Sequence, residues 1–183
     1  MEKLDIHIHT RLPEYSGQGA LKATGVKEMM EYLKGEEIVH GIIMSSGESD
    51  APNNLECAEI CRQENCLHWN CNFDARKPES ILERMTACKK AGAVGVGELV
   101  INERIDSPII QAIFAAAEHL ELPILFHMSS EVGYQYGIVD DPGLPLLEDA
   151  LKQYPKLKLI GHSPVFWIEL SKDAPVDKIG RGE

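Results

Sequence analysis

Five residues in this chain have the types and placement for metal chemistry. "LDIHIHT" (4–10) sets His7 and His9 two apart in an alternating stretch, with Leu4, Ile6 and Ile8 against Asp5, His7 and His9. Alternation of that kind predicts a β-strand, whose successive side chains point to opposite faces. Both imidazoles then lie on one face with a carboxylate, about 7 Å apart along the strand. Glu98 in "VGVGELV", His127 in "ILFHMS" and His162 in "LIGHSP" each sit late in, or at the end of, an apolar run. Neutral imidazole and carboxylate are ligands that Zn²⁺, Mn²⁺ and Fe²⁺ accept. A bound divalent ion lowers the pKa of its water to about 7, and a carboxylate such as Glu98 could bridge two ions roughly 3.5–4 Å apart. The competing reading of each histidine is a satisfied core residue. For Glu98, a carboxylate costly to bury unless paired, it is a salt bridge.

These residues need a scaffold that brings distant points together. After the first strand, 26–34 places Val26, Met29, Met30 and Leu33 at helical spacing. "IVHGIIMS" (38–45) reads as a buried strand, and Pro52 as the opening of the next helix. A third strand follows over 66–73, a helix from Pro78 to Gly92, and a fourth strand over 93–101. Ser107-Pro108 is an N-cap followed by proline at the first helical position. Strands over 122–127 and 157–162 flank a helix over 144–154.

Six β-α units in alternation predict an α/β fold with a parallel sheet and helical crossovers. Runs such as Ile42-Ile43-Met44 and Ile124-Leu125-Phe126 are apolar on both faces, as strands covered by helices should be. In a parallel barrel or open α/β sheet, sites assemble at the C-terminal ends of the strands. His9, Glu98, His127 and His162 all fall at that edge. His40, His68 and His119 lie at strand starts or on a helix and read as structural.

His-x-His on strand one, an acid on strand four and histidines ending strands five and six resemble the amidohydrolase superfamily. "DIHIHT", "VGVGELV", "ILFHMS" and "LIGHSP" carry the likeness, which runs over residues 3–164. The resemblance implies a (β/α)8 TIM barrel, of which about six units are present. It implies a divalent metal, Zn²⁺ first with Mn²⁺ or Fe²⁺ as alternatives, as one or two ions. His7 and His9 would hold the more buried ion, and Glu98 would ligate or bridge. His127 and His162 would hold a second. In a one-metal branch His127 would ligate and His162 would orient the water. The implied reaction is attack of metal-activated water on an amide, ester or phosphoester bond. Two rivals stay open: a non-oxidative decarboxylase on the same scaffold, and a non-catalytic fragment.

The sequence departs from that pattern in two ways. Many binuclear members carry a carboxylated lysine on strand four, whereas this chain has Glu98 there, as the deoxyribonuclease-like branch has a glutamate. The aspartate that ends strand eight, a metal ligand and general base in the family, has no counterpart. The expectation is therefore an incomplete barrel domain over 1–165, part of a longer protein with impaired chemistry of its own, and a loop-like tail over 166–183. Asp173 and Asp177 in that tail have no strand to position them.

Totals narrow the rest. Eighteen basic against 29 acidic residues give a net charge of −11, which repels a phosphate backbone and disfavours nucleic acid. The expected partner is a small-molecule substrate, with a homo-oligomer left open. No apolar run approaches the roughly 18 residues of a membrane span, and no signal-peptide core is present, so a cytoplasmic protein is expected. Cys57, Cys61, Cys66, Cys71 and Cys88 form no disulfide framework, and Cys57 and Cys61 fall on a predicted helix, against a structural zinc. Gly92, Gly95 and Gly97 do not open a helix, so close backbone packing is their expected role rather than dinucleotide binding. The loops 44–53 and 128–143 follow strands two and five on the active edge. Tyr134, Tyr136, Asp140 and Asp141 could touch substrate there, although solvated loop positions are the simpler reading.

Overall fold

A computed structural model describes residues 2–12, 24–49, 52–74, 77–134 and 136–171. In chain order the elements are β1 (Lys3–Ile8), β2 (Thr10–Arg11), β3 (Thr24–Gly25), α1 (Val26–Gly35), β4 (Ile38–Met44), α2 (Asn54–Gln63) and β5 (Leu67–Cys71). A 3-10 turn (Pro78–Ser80) runs into α3 (Ile81–Lys90), followed by β6 (Gly95–Leu99), α4 (Pro108–His119) and β7 (Ile124–Ser129). The short β8 (Ile138–Val139), α5 (Pro145–Gln153), β9 (Leu159–His162) and α6 (Pro164–Ser171) complete the described chain.

The six long strands lie side by side in chain order, β1-β4-β5-β6-β7-β9, and every pair is parallel. Sequential parallel order with intervening helices is the wall of a TIM barrel. Among the described residues six strands of that wall are present, and β1 and β9 each have one long-strand neighbour. The parallel sheet is the one the alternation predicts, and its partial-barrel form is the one the family resemblance implies.

Burial follows from this layering. Ile43, Val96, Ile124 and Phe126 are essentially inaccessible, as strands sandwiched between interior and helices must be. Helix α4 buries Ile109, Ile110, Ile113, Phe114, Ala116 and Ala117, the spacing of one helical face. Strand β1 departs from its expected pattern. Ile8 is buried, but Leu4 and Ile6 on the same face are 64% and 42% exposed. An edge strand has neighbours on one side only, so alternation sets which way these side chains point but not whether anything covers them.

Two boundaries need correction. Pro52 does not open its helix. Asn53 is the N-cap, its side-chain oxygen accepting the N–H groups of Leu55 and Glu56, and α2 starts at Asn54. The stretch read as a loop from Phe166 is helical to Ser171, as part of α6. Ser163 accepts the N–H of Phe166 at 3.3 Å ahead of Pro164, the same Ser-Pro start as at 107–108. Phe166 lies against Gly161, where any side chain would collide with the ring, and meets Phe126 edge-on at 5.4 Å. Asp173, Asp177 and the rest of 172–183 lie outside the described residues.

Phe114 is fully buried and meets Tyr154 edge-on at 6.2 Å between ring centres. Phe114→Ala is expected to cost about 3–5 kcal/mol through lost burial and the cavity left behind, measured by urea unfolding. A loss below about 1 kcal/mol would contradict this core.

Candidate metal centre

The histidines and the carboxylate converge. The carboxylate of Glu98 points one oxygen, Oε2, at His7 Nε2, 3.4 Å away. Its other oxygen, Oε1, faces His127 Nδ1 at 2.9 Å and His162 Nε2 at 3.6 Å. His7 Nε2 in turn approaches His9 Nε2 to 3.1 Å, and the rings of His7 and His162 stand edge-on at 4.5 Å. Residues spread over 155 positions of sequence thus meet around one carboxylate. His7, Glu98 and His162 each offer a ligand atom within 4.8 Å of the others.

The donor set fits a divalent cation. Nitrogen and oxygen ligands at about 2.0–2.2 Å from a tetrahedral ion lie roughly 3.3–3.6 Å from one another, and His7 and His162 stand 3.4 and 3.6 Å from the two oxygens of Glu98. The buried Nδ1 of His9 has no hydrogen-bond partner among the described residues. Nothing but the cluster itself thus fixes this ring through its nitrogens.

Each ligand-bearing segment is held from behind. Arg11, just past His9, is buried within 3.8 Å of the Glu56 carboxylate, which also accepts the N–H of Leu12 at 2.8 Å. Ser163 follows His162 and clamps β7, accepting the N–H of Met128 and donating to its carbonyl. On β6 the glycines let the neighbouring strands close in. A Cβ at Gly95 would fall 2.6 Å from Asn70 Oδ1, and one at Gly97 would fall 2.8 Å from the Leu125 carbonyl. Gly97 also has φ +150°, a conformation that side chains rarely adopt. Close packing is therefore the role of both. Gly92, at φ +102°, instead ends the turn after α3.

Electrostatics separate the members. Burial lowers the His9 pKa, reinforced by His7, and the same two causes lower His162. Burial alone would raise the Glu98 carboxyl. Hydrogen bonding and charge interaction with His7, then with His127, outweigh it and hold the acid below its usual range. Burial thus disfavours the charged form of His9 and His162, while the carboxyl of Glu98 is held ionised, forms that favour a cation.

The remaining residues sort by position. His40 and His68 pair at 3.3 Å near the opposite, N-terminal ends of β4 and β5, and His119 ends α4. None reaches the cluster. The Tyr136 ring lies 4.5 Å from the ring of His127, and with Tyr134, Ser129 and Ser130 it lines a 160 Å³ cavity beside that histidine. Asp140 caps α5 by accepting the N–H groups of Leu146 and Leu147, and Asp141 grips Arg104 through both oxygens. Those two carboxylates hold the loop rather than face the cluster. All five cysteines are free thiols; burial pushes Cys61 up to about 12 and Cys57 higher still. Sequence reading passed over Asn72, just beyond β5, although its place at the same strand edge was a signal. Its amide donates to the Glu98 carbonyl at 2.6 Å.

Fold and site together define a partial parallel α/β barrel with a His–Glu–His cluster at the C-terminal strand ends. No family model and no curated protein matches the sequence. Solved structures do. A Staphylococcus aureus protein assigned as an amidohydrolase matches with a TM-score of 0.63 and 16% identity, over 95% of this chain and 72% of that one. An Acinetobacter baumannii protein assigned as a 2-pyrone-4,6-dicarboxylic acid hydrolase, with citric acid bound, matches at 0.53 and 14%, over 92% and 76%. An Agrobacterium tumefaciens protein in its apo form matches at 0.50 and 18%, over 87% of this chain and 66% of its own length. The chain therefore spans about two thirds to three quarters of these structures, and at such identities the likeness establishes the fold. No helix among the described residues is long and apolar enough to cross a membrane.

The lowered histidines make a pH prediction. The unfolded chain takes up protons near pH 6.5, which native His9 and His162 resist. The stability they contribute is complete above that value and is lost as pH falls toward their folded pKa values. Melts of chelator-treated protein from roughly pH 7.5 to 5.5 should show Tm falling, more shallowly in His9→Asn. An identical slope in that variant would contradict this environment for His9.

Proposed function

We propose that the chain carries the metal centre of an amidohydrolase-like hydrolase that cleaves an amide, ester or phosphoester bond of a small molecule. The observation that carries this reading is the two-sided placement of Glu98, with Oε2 toward His7 and Oε1 toward His127 and His162. His7 and His9 would hold one divalent ion, His127 and His162 a second, and Glu98 would bridge. An ion held there supplies Lewis acidity for the scissile carbonyl or phosphoryl group and lowers the pKa of water.

The chain's own residues supply the rest. His162 is the most open of the cluster, its side chain 43% exposed against 17% for His127. Its lowered pKa favours the neutral ring, which has one nitrogen free to accept a proton. Tyr134 and Tyr136 present an aromatic wall with hydroxyl groups beside His127, suited to seating a substrate group. The net charge of −11 weighs against nucleic acid as that substrate.

The test is metal content and turnover. The purified chain should retain near-stoichiometric Zn²⁺ or Mn²⁺ by elemental analysis. Glu98→Ala should weaken binding by more than about 100-fold, beyond the 10–100-fold typical of losing an outer-shell partner. Screening esters, amides, lactones and p-nitrophenyl phosphate would define the bond class. Equal metal binding by wild type and Glu98→Ala would overturn the proposal, and CO₂ release from an aromatic acid would move the chain to the decarboxylases.

A further inference from the structure

The backbone that carries Glu98 has little sheet to hold it. The β5–β6 ladder ends at Asn70↔Gly95 and Cys71↔Val96, two residues short of Glu98. On its other side the β6–β7 register shifts between Val96↔Ile124 and Leu99↔Phe126, so Glu98 falls inside the irregularity. The residue on which the cluster is centred thus stands where strand pairing fails on both flanks.

A side chain fills that role. Asn72 is 2% exposed. Its Nδ2 donates to the Glu98 carbonyl at 2.6 Å and reaches the Ser45 carbonyl at 3.4 Å, while its Oδ1 accepts the N–H of Phe73 at 2.9 Å. Asn72 is itself gripped. Asn54, the first residue of α2, accepts the Asn72 N–H at 3.0 Å and donates to its carbonyl at 2.8 Å. One line of hydrogen bonds therefore runs from the start of α2 through the end of β5 to the peptide of Glu98. A buried amide with both ends used has little freedom, so it transmits position.

We propose that Asn72, backed by Asn54, is a positioning residue that sets the Glu98 carboxylate between the two histidine pairs for cation binding. The inference rests on the metal-centre reading above and adds to it residues that touch no ion. Outer-shell partners fix ligand orientation, and their loss typically costs 10–100-fold in metal affinity.

Zn²⁺ affinity by chelator competition and the visible absorption of the Co²⁺-loaded chain test it in wild type, Asn72→Ser, Asn54→Ala and Glu98→Ala. Asn72→Ser should weaken Zn²⁺ binding about 10–100-fold and shift the Co²⁺ bands, which report ligand geometry rather than global stability. Asn54→Ala, at a partly exposed position and so the variant that folds if Asn72→Ser does not, should shift both the same way by a smaller amount. Wild-type binding lost in Glu98→Ala, with affinity within twofold of wild type and an unchanged Co²⁺ spectrum in the folded asparagine variants, would overturn this inference alone. Failure of the wild type to bind either metal would overturn the metal-centre reading and this inference with it.

Discussion

An ionised carboxylate can remain in the interior of an apolar barrel only if nearby groups replace the water it has lost. Glu98, with 12% of its side chain exposed, is in that position, and much of the local architecture serves it. His7 lies on one oxygen, His127 and His162 on the other, and Asn72 holds the peptide behind. The arrangement is one-sided in charge. The one carboxylate is ringed by imidazole nitrogens, and burial disfavours the charged form of His9 and His162, which makes a nitrogen-lined locus with an acid at its centre, suited to a cation.

Topology explains how such a locus arises from distant residues. A parallel sheet assembled in chain order places every strand's C-terminal end on one edge, so a residue late in each strand arrives at a common rim. Four long strands contribute here, each through residues at or near its end. The opposite rim receives His40 and His68, which pair with one another and never meet the cluster. Equivalent chemistry at the two ends of a strand therefore has different consequences, and position along the strand decides which.

That logic is why so much was legible in the sequence. Strands and helices declared themselves through apolar runs, Ser-Pro starts and closing glycines, and the six-unit rhythm implied parallel order. His7, His9, Glu98, His127 and His162 could be picked because each is a polar residue that an apolar strand has no packing reason to contain at its end. Hydrogen-bond partners were not legible. Asn72 and Asn54 are ordinary loop and cap residues by type, and only three dimensions show that one grips the other. Asp140 and Asp141 read most simply as loop residues and are so, but their helix cap and arginine partner are visible only in three dimensions. The helix at 164–171 was missed because its short apolar run carries no amphipathic period, although Ser163-Pro164 repeated the start signal seen at 107–108.

An edge strand, β1, carries His7 and leads directly into His9. Among the described residues β1 pairs with β4 alone, with register slips between Lys3 and Leu4 and between Asp5 and Ile8, and its outer face leaves Leu4 and Ile6 open. What holds its far end is the buried pairing of Arg11 with Glu56, which ties the segment after His9 to α2. Helix α2 also starts with Asn54, the residue that grips Asn72. The same helix therefore anchors both the His7–His9 segment and the Glu98 support, and a shift of α2 would move the two together. Shared anchoring explains how an edge strand can present ligands in register with a strand three places away in the sheet. It also couples site to stability: a ligand that joins β1, β6 and β9 binds only the folded arrangement, and by mass action strengthens an edge strand that has a single neighbour among the described residues.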